Sequence, residues 1–414
     1  MSDQIEKQLF GELKGSERAM FDALLKSYYL DDDQLDYLHR YYKPIFTIGD
    51  EENCICLSNK KYFECCKPKV LATSAQRDNY ISILEVISKP ELKEKYLEQE
   101  KGYFKTAVLQ QNQAACLIND CQNPVIEIAL YQQMPTKPQL FLDRYNEKHY
   151  FKNINTNFLD LVNPAETPYT FSVICHEHHD KLLSNNKLAD QIKALLINYY
   201  DNLIDHHVAY QTFLQYSHLL SVAEQVIMTL KLKKIIKLHY FYDLELMRIT
   251  SDLNNDRNSY IIKEISLTKK INVLQCNDIL LAQLTPITFQ AINSPNNPFL
   301  PNKILYANII HYDKHSSIKF VYHKNNRIYN TYFEEWDEKI KTPKQWENFI
   351  SSLIINLSNH FLLDQKYYEK LNEKQKQMLN IYYYNRFEQP RNSGQEMMLQ
   401  TFINNFHNGI NIIK

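Results

Sequence analysis

Four cysteines within thirteen residues, Cys54, Cys56, Cys65 and Cys66, are the part of this sequence best equipped to do chemistry. The spacing is C-x-C-x8-C-C. Four thiolates supply a complete tetrahedral shell, the arrangement that holds structural zinc. The eight intervening residues, Leu57 to Glu64, are just enough for the chain to turn back on itself. A second group is spread more widely. Cys116 and Cys121 form a C-x4-C pair, and Cys175 opens the run Cys175-His176-Glu177-His178-His179-Asp180. Two knuckles separated by a long insert, with the second pair opening a helix, build a treble-clef zinc site. Cys116, Cys121, Cys175 and His178 are the expected shell, since thiolate and imidazole together suit zinc. Which of His176, His178 and His179 closes it is left open by the sequence. Two zinc ions are therefore the expected cofactors.

The eighth cysteine, Cys276, sits in the apolar stretch Val273-Leu274-Gln275-Cys276 and reads as a small buried hydrophobe. No Ser/His/Asp or Cys/His arrangement stands out for nucleophilic catalysis, so no catalytic residue is assigned.

Both cysteine groups carry a resemblance. Residues 54–66 resemble the SEC-C motif, best known from the tail of the preprotein translocase motor, and keep Ser58, Lys60, Lys61 and Tyr62 at matching places. Leu57 and Asn59 stand where that motif has glycines. Asn tolerates left-handed backbone angles and Leu does not do so readily, so an altered turn is expected. The resemblance implies a docking surface, with Lys60, Lys61 and Tyr62 presenting charge and an aromatic ring.

The second group, from Cys116 to Asp180, resembles the HNH-type treble clefs of uncharacterised bacterial proteins. In those a Ser-His pair follows the second cysteine, and its His would be the general base of a nuclease. This chain has Ile128 and Ala129 there. Losing the base costs hydrolysis roughly two to four orders of magnitude. The resemblance therefore implies a retained zinc scaffold without its catalytic engine. The alternative is a metal-dependent HNH-like nuclease, by association one serving phage defence. It would use His176, His179 and Asp180 as ligands and His149 as a displaced base.

The bulk composition bounds the rest. At 414 residues and 44% hydrophobic, the chain has apolar material for more than one core. A formal charge of -1 gives no global case for nucleic-acid or membrane attraction. With only six glycines and no G-x-x-x-x-G-K-[ST] or G-x-G-x-x-G pattern, no nucleotide cofactor is expected. No apolar run approaches the roughly 18 residues of a membrane span, and residues 1–6 are not a signal peptide. A cytoplasmic protein is expected, whose zinc modules contact a protein or a nucleic acid.

The elements that must position these groups follow from periodicity. The expected class is α+β, mainly helical, with two small zinc modules and a C-terminal antiparallel sheet flanked by helices. The expected divisions are a helical segment at 1–48, the SEC-C-like module at 49–70, helices plus the treble clef at 71–185, a long helical hairpin at 186–255, and sheet with C-terminal helices at 256–414. Within these, Pro90 should break a helical stretch over 76–105. Short strands are expected at 125–129 and 139–142 around the treble clef. From Lys187 to Asp252 there is no proline or glycine, and apolar residues recur at three and four. His207 and His218 on that hairpin, and the basic run Lys231–Lys237, read as a solvated helix face. Strands are expected at 259–262, 271–274, 304–306, 318–322 and 327–332, the last two joined by a hairpin turn at His323–Asn326. Helices are expected over 343–406.

Overall fold

In the computed structural model, residues 48–130 and 170–255 are described with short gaps, together with strands at 139–143 and 160–162 and most of 257–282 and 304–379. The helices expected before residue 48, His149, the loop between Pro295 and Pro301, and everything beyond residue 379 lie outside the described residues.

The centre of the molecule is a helical hairpin. The first cysteine group leads into α1 (Cys66–Ala72), followed by α2 (Ile83–Ser88) and α3 (Lys93–Asn112). The break at Pro90 falls where the sequence requires it, in a 3-10 turn at Pro90–Leu92 between α2 and α3. Helix α4 (His176–Leu183) precedes the two long helices, α5 (Ala189–Tyr216) and α6 (Val222–Asn254). These run antiparallel: Tyr199 meets His239 and Tyr242, and Asn202 Nδ2 donates to the Ile235 carbonyl. Six consecutive residues of α5, Ile192 to Ile197, are all buried, including Lys193. A helix wrapped on every side is an interior strut, not a surface stripe.

Among the described residues the strands form three antiparallel assemblies. A two-stranded ribbon pairs β1 (Ile128–Ala129) with β4 (Thr170–Phe171). One four-stranded sheet has the order β3-β2-β10-β6, from β2 (Gln139–Asp143), β3 (Asp160–Val162), β6 (Val273–Cys276) and β10 (His360–Leu363). The other has the order β5-β9-β8-β7, from β5 (Tyr260–Ser266), β7 (Ile279–Ala282), β8 (Ile304–His311) and β9 (Ser316–His323). The α+β reading, with a C-terminal sheet and flanking helices, is therefore correct.

Three local expectations are corrected. The strand expected at 327–332 and its hairpin turn are replaced, among the described residues, by a turn at 324–325 and helix α7 (Ile328–Lys339). The reason is packing. Tyr329, Phe333 and Trp336 recur at four and three, and their rings meet Phe320 and Tyr322 on β9. Strand β10 interrupts a region expected to be helical, because its partner Leu140–Asp143 is far away in sequence. For the same reason β2 belongs to this sheet and not to the ribbon beside the second cysteine group.

One hydrophobic cluster joins Cys116 and Cys175 with α5, α6 and the sheet residues Tyr260, Tyr306 and Leu362. A second joins Cys54, Cys66, Tyr62 and Val70 to the far end of the hairpin, at Phe213, Tyr216 and Leu232. Among the described residues, no helix is long and apolar enough to cross a membrane.

Candidate metal centres

The first centre is built by a tight knuckle. Cys54 N–H donates to the Lys60 carbonyl, Tyr62 N–H to Glu52, and Leu57 N–H to Cys54. Closing this turn requires positive φ at two residues, Leu57 at 62° and Asn59 at 58°. The turn geometry that glycines would supply is thus adopted without them. Cys66 then opens α1, placing the last ligand on a helix. The Sγ atoms of Cys56 lie 3.5 Å from those of Cys54 and Cys65, and all four sulfurs fall within 4.8 Å of one another. Thiolates about 2.3 Å from a tetrahedral ion stand about 3.8 Å apart, so the donor set fits zinc in number, type and spacing.

The second centre brings together the residues that the sequence pairs. Cys116 N–H donates to Asn123 and Cys121 N–H to Ile118, folding the first knuckle. Leu117 N–H bonds the Val173 carbonyl and Ile126 N–H the Ile174 carbonyl, clamping that knuckle to the segment between β4 and α4. Cys175 is the N-cap of α4, so Cys175 and His178 lie one turn apart on the same side. His178 Nδ1 lies 3.4 Å from Cys116 Sγ and 3.3 Å from Cys175 Sγ, while Cys121 and Cys175 are 3.8 Å apart. Of the three histidines, His178 is the one that groups with these cysteines. His176 and His179 face away, grouped instead with Asp180.

The thiols are electrostatically uneven. Burial pushes Cys54 and Cys66 up, and Cys116 up to about 11. At Cys56 burial is outweighed by hydrogen bonds from Ser58 and the neighbouring thiols, which bring it to about 7. At Cys175 it is outweighed by contacts to His178 and Cys121, again to about 7. A bound dication would replace these protons, since zinc ligands must be deprotonated.

What the sequence did not reveal is how the first centre is held. His206 Nε2 donates to the Ile55 carbonyl at 2.7 Å, and Tyr210, stacked on His206, places its hydroxyl 3.4 Å from Cys66 Sγ. Lys233 pairs with Glu52 at 3.2 Å, and Tyr240 OH reaches Asn59 Oδ1 at 3.4 Å. Lys231 pairs with Glu100. The basic run is thus partly consumed in ion pairs within the chain. The expected role of Tyr62 also changes: it is buried in the module's own core, while Lys60 and the neighbouring Phe63 are exposed. His207 and His218 join no metal-competent group among the described residues.

At the position where an HNH-type base would stand, Ala129 is exposed in β1 opposite Thr170, and Ile128 beside it is buried. Among the described residues three groups of side chains could each hold a metal ion, and none of them draws on position 128 or 129. No protein-family profile, no curated protein and no solved structure matches this chain.

Proposed function

We propose that this chain is a zinc-stapled docking protein. Two structural zinc ions, held by Cys54, Cys56, Cys65 and Cys66 and by Cys116, Cys121, Cys175 and His178, fix surfaces that capture a partner. The observation that carries this reading is that each group brings four donors together and that all seven cysteines belong to, or pack against, a hydrophobic cluster. Four protein ligands close a zinc shell, and a closed shell stabilises without activating water. The knuckle–ribbon–helix order around the second group supports a treble clef kept as scaffold, and the SEC-C-like turn supports a docking role for the first. Its exposed residues are of mixed kind: Phe63 at 41%, Leu71 at 71%, and Lys60 and Lys69 beside them in sequence. That mixture suits a protein partner carrying acidic and apolar groups.

The test compares wild type with Phe63→Ser/Leu71→Ser in capturing partners from a lysate of the source cells, with zinc content measured in parallel. Loss of one partner at unchanged zinc supports the reading. Capture of nucleic acid instead would change the class of partner. Divalent-metal-dependent DNA cleavage that is lost in His179→Ala but kept in Lys61→Ala would overturn the proposal in favour of the nuclease.

A further inference from the structure

Helix α4 has two chemically different sides. Cys175 and His178 turn into the second centre, and Leu182 into the core. His176, His179 and Asp180, spaced i, i+3 and i+4, share a separate, more exposed face. His179 Nδ1 lies 3.2 Å from Asp180 Oδ1, and His176 Nδ1 lies 3.8 Å from the same oxygen. All three donor atoms fall within 4.8 Å of one another. We propose that these three side chains form a third metal site, open to solvent, for a zinc-class divalent cation.

Geometry and donor chemistry both support the assignment. Ligands about 2.1 Å from an ion stand about 3.0 Å apart at adjacent octahedral corners and about 3.4 Å apart at tetrahedral ones. The spacings here reach both with small side-chain rotations. Two imidazoles and one carboxylate select zinc, nickel, cobalt or copper over calcium and magnesium, which take oxygen ligands. Three protein donors leave at least one position for water, in contrast to the closed shells nearby. A helix cap with an ion pair accounts for less. The cap is Cys175, and His176 and Asp180 have side chains 79% and 58% exposed. Nothing in packing requires three such donors to converge. The site stands apart from the docking proposal, because its ligands serve neither closed shell.

The experiment titrates Co2+ into the desalted two-zinc protein and into His176→Ala/Asp180→Asn, following heat and visible absorption. The expected result is one added equivalent in wild type, with weak absorption that lacks thiolate-to-cobalt charge transfer. The variant should lose that equivalent and keep both zinc ions. No added equivalent in wild type would overturn the site, as would equal binding by the variant or the appearance of a thiolate band.

Discussion

The ring of His206 donates from Nε2 to the carbonyl of Ile55 across 2.7 Å, joining the middle of α5 to the residue between the first two cysteines. Tyr210, one turn further along, reaches Cys66 Sγ. The first centre is therefore fastened from outside its own ligand set. Tyr210→Phe is expected to lower zinc affinity at this centre about tenfold, the usual scale for groups that support a metal's ligands. The second centre should be unaffected. Competition with a chromophoric chelator, read for each zinc separately, checks this.

The zinc count itself is the simplest check on both centres. Desalted wild type is expected to carry two zinc ions per chain by elemental analysis, and Cys175→Ser one. A Cys54→Ser variant should also carry one. A count of one that Cys175→Ser leaves unchanged would remove the second centre.

The knuckle makes a prediction about backbone strain. A non-glycine residue in the left-handed region costs about 1–2 kcal/mol, and Leu57 sits there at φ 62°. Glycine would relieve that cost but raise the entropy of the unfolded chain, so the two effects partly cancel. Leu57→Gly is expected to leave stability level or raise it by up to about 1 kcal/mol. Leu57→Val, whose branched side chain fits this region worse, should lower it by about 1–2 kcal/mol. Urea unfolding of the zinc-loaded protein measures both.

Much of the site was legible because its chemistry is local. Cysteine pairs one to five residues apart announce knuckles, and the stretch free of proline and glycine from Lys187 announced the hairpin. What was not legible depends on partners distant in the chain. The pairing of Phe361 with Leu142 leaves no trace in either segment, so β10 read as part of a helix. The links His206–Ile55 and Tyr210–Cys66 are equally hidden. Helix α7 is a different case. A six-residue window showed a short β-branched and aromatic run, Ile328, Tyr329, Thr331 and Tyr332, and only a longer one shows Tyr329, Phe333 and Trp336 on a single helical face.

Acid should weaken the fold through His323. This histidine is 7% exposed, and its Nδ1 accepts from Asn325 N–H, an arrangement that favours the neutral ring. Burial first, then the charges of Arg248 and Lys324, lower its pKa from 6.5 to about 4, against an opposing pull from Asp252. The unfolded chain therefore binds a proton more readily. Stability is intact above pH 6.5 and is lost as pH falls from there towards 4. A loss of about 1–2 kcal/mol by pH 5 is expected from this residue. His323→Gln should flatten the profile of urea midpoint against pH by that amount.

A buried carboxylate fixes α6 to the larger C-terminal sheet. Glu245 is fully buried and accepts from Tyr306 OH at 3.0 Å, Tyr260 OH at 3.3 Å, and Arg248. Tyr306→Phe removes one hydrogen bond and should cost about 1–2 kcal/mol. Glu245→Ala strands Arg248 beside two hydroxyls and should cost about 3–5 kcal/mol. Thermal melts of the two variants would rank them, and near-equal melting temperatures would show that the carboxylate is not the centre of the network.

Helix α5 has 28 residues, and core residues around the second centre and side chains holding the first are carried on the same continuous rod. From Leu195 to Tyr210 the rise is about 22 Å at 1.5 Å per residue. Because that rod is enclosed on all sides from Gln191 to Ile197, it works as a ruler. The two groups of candidate ligands are held apart by that buried stretch of helix. A partner that grips both modules would meet a preset spacing, and swapping either module's outer residues would change what is gripped but not how far apart the grips lie.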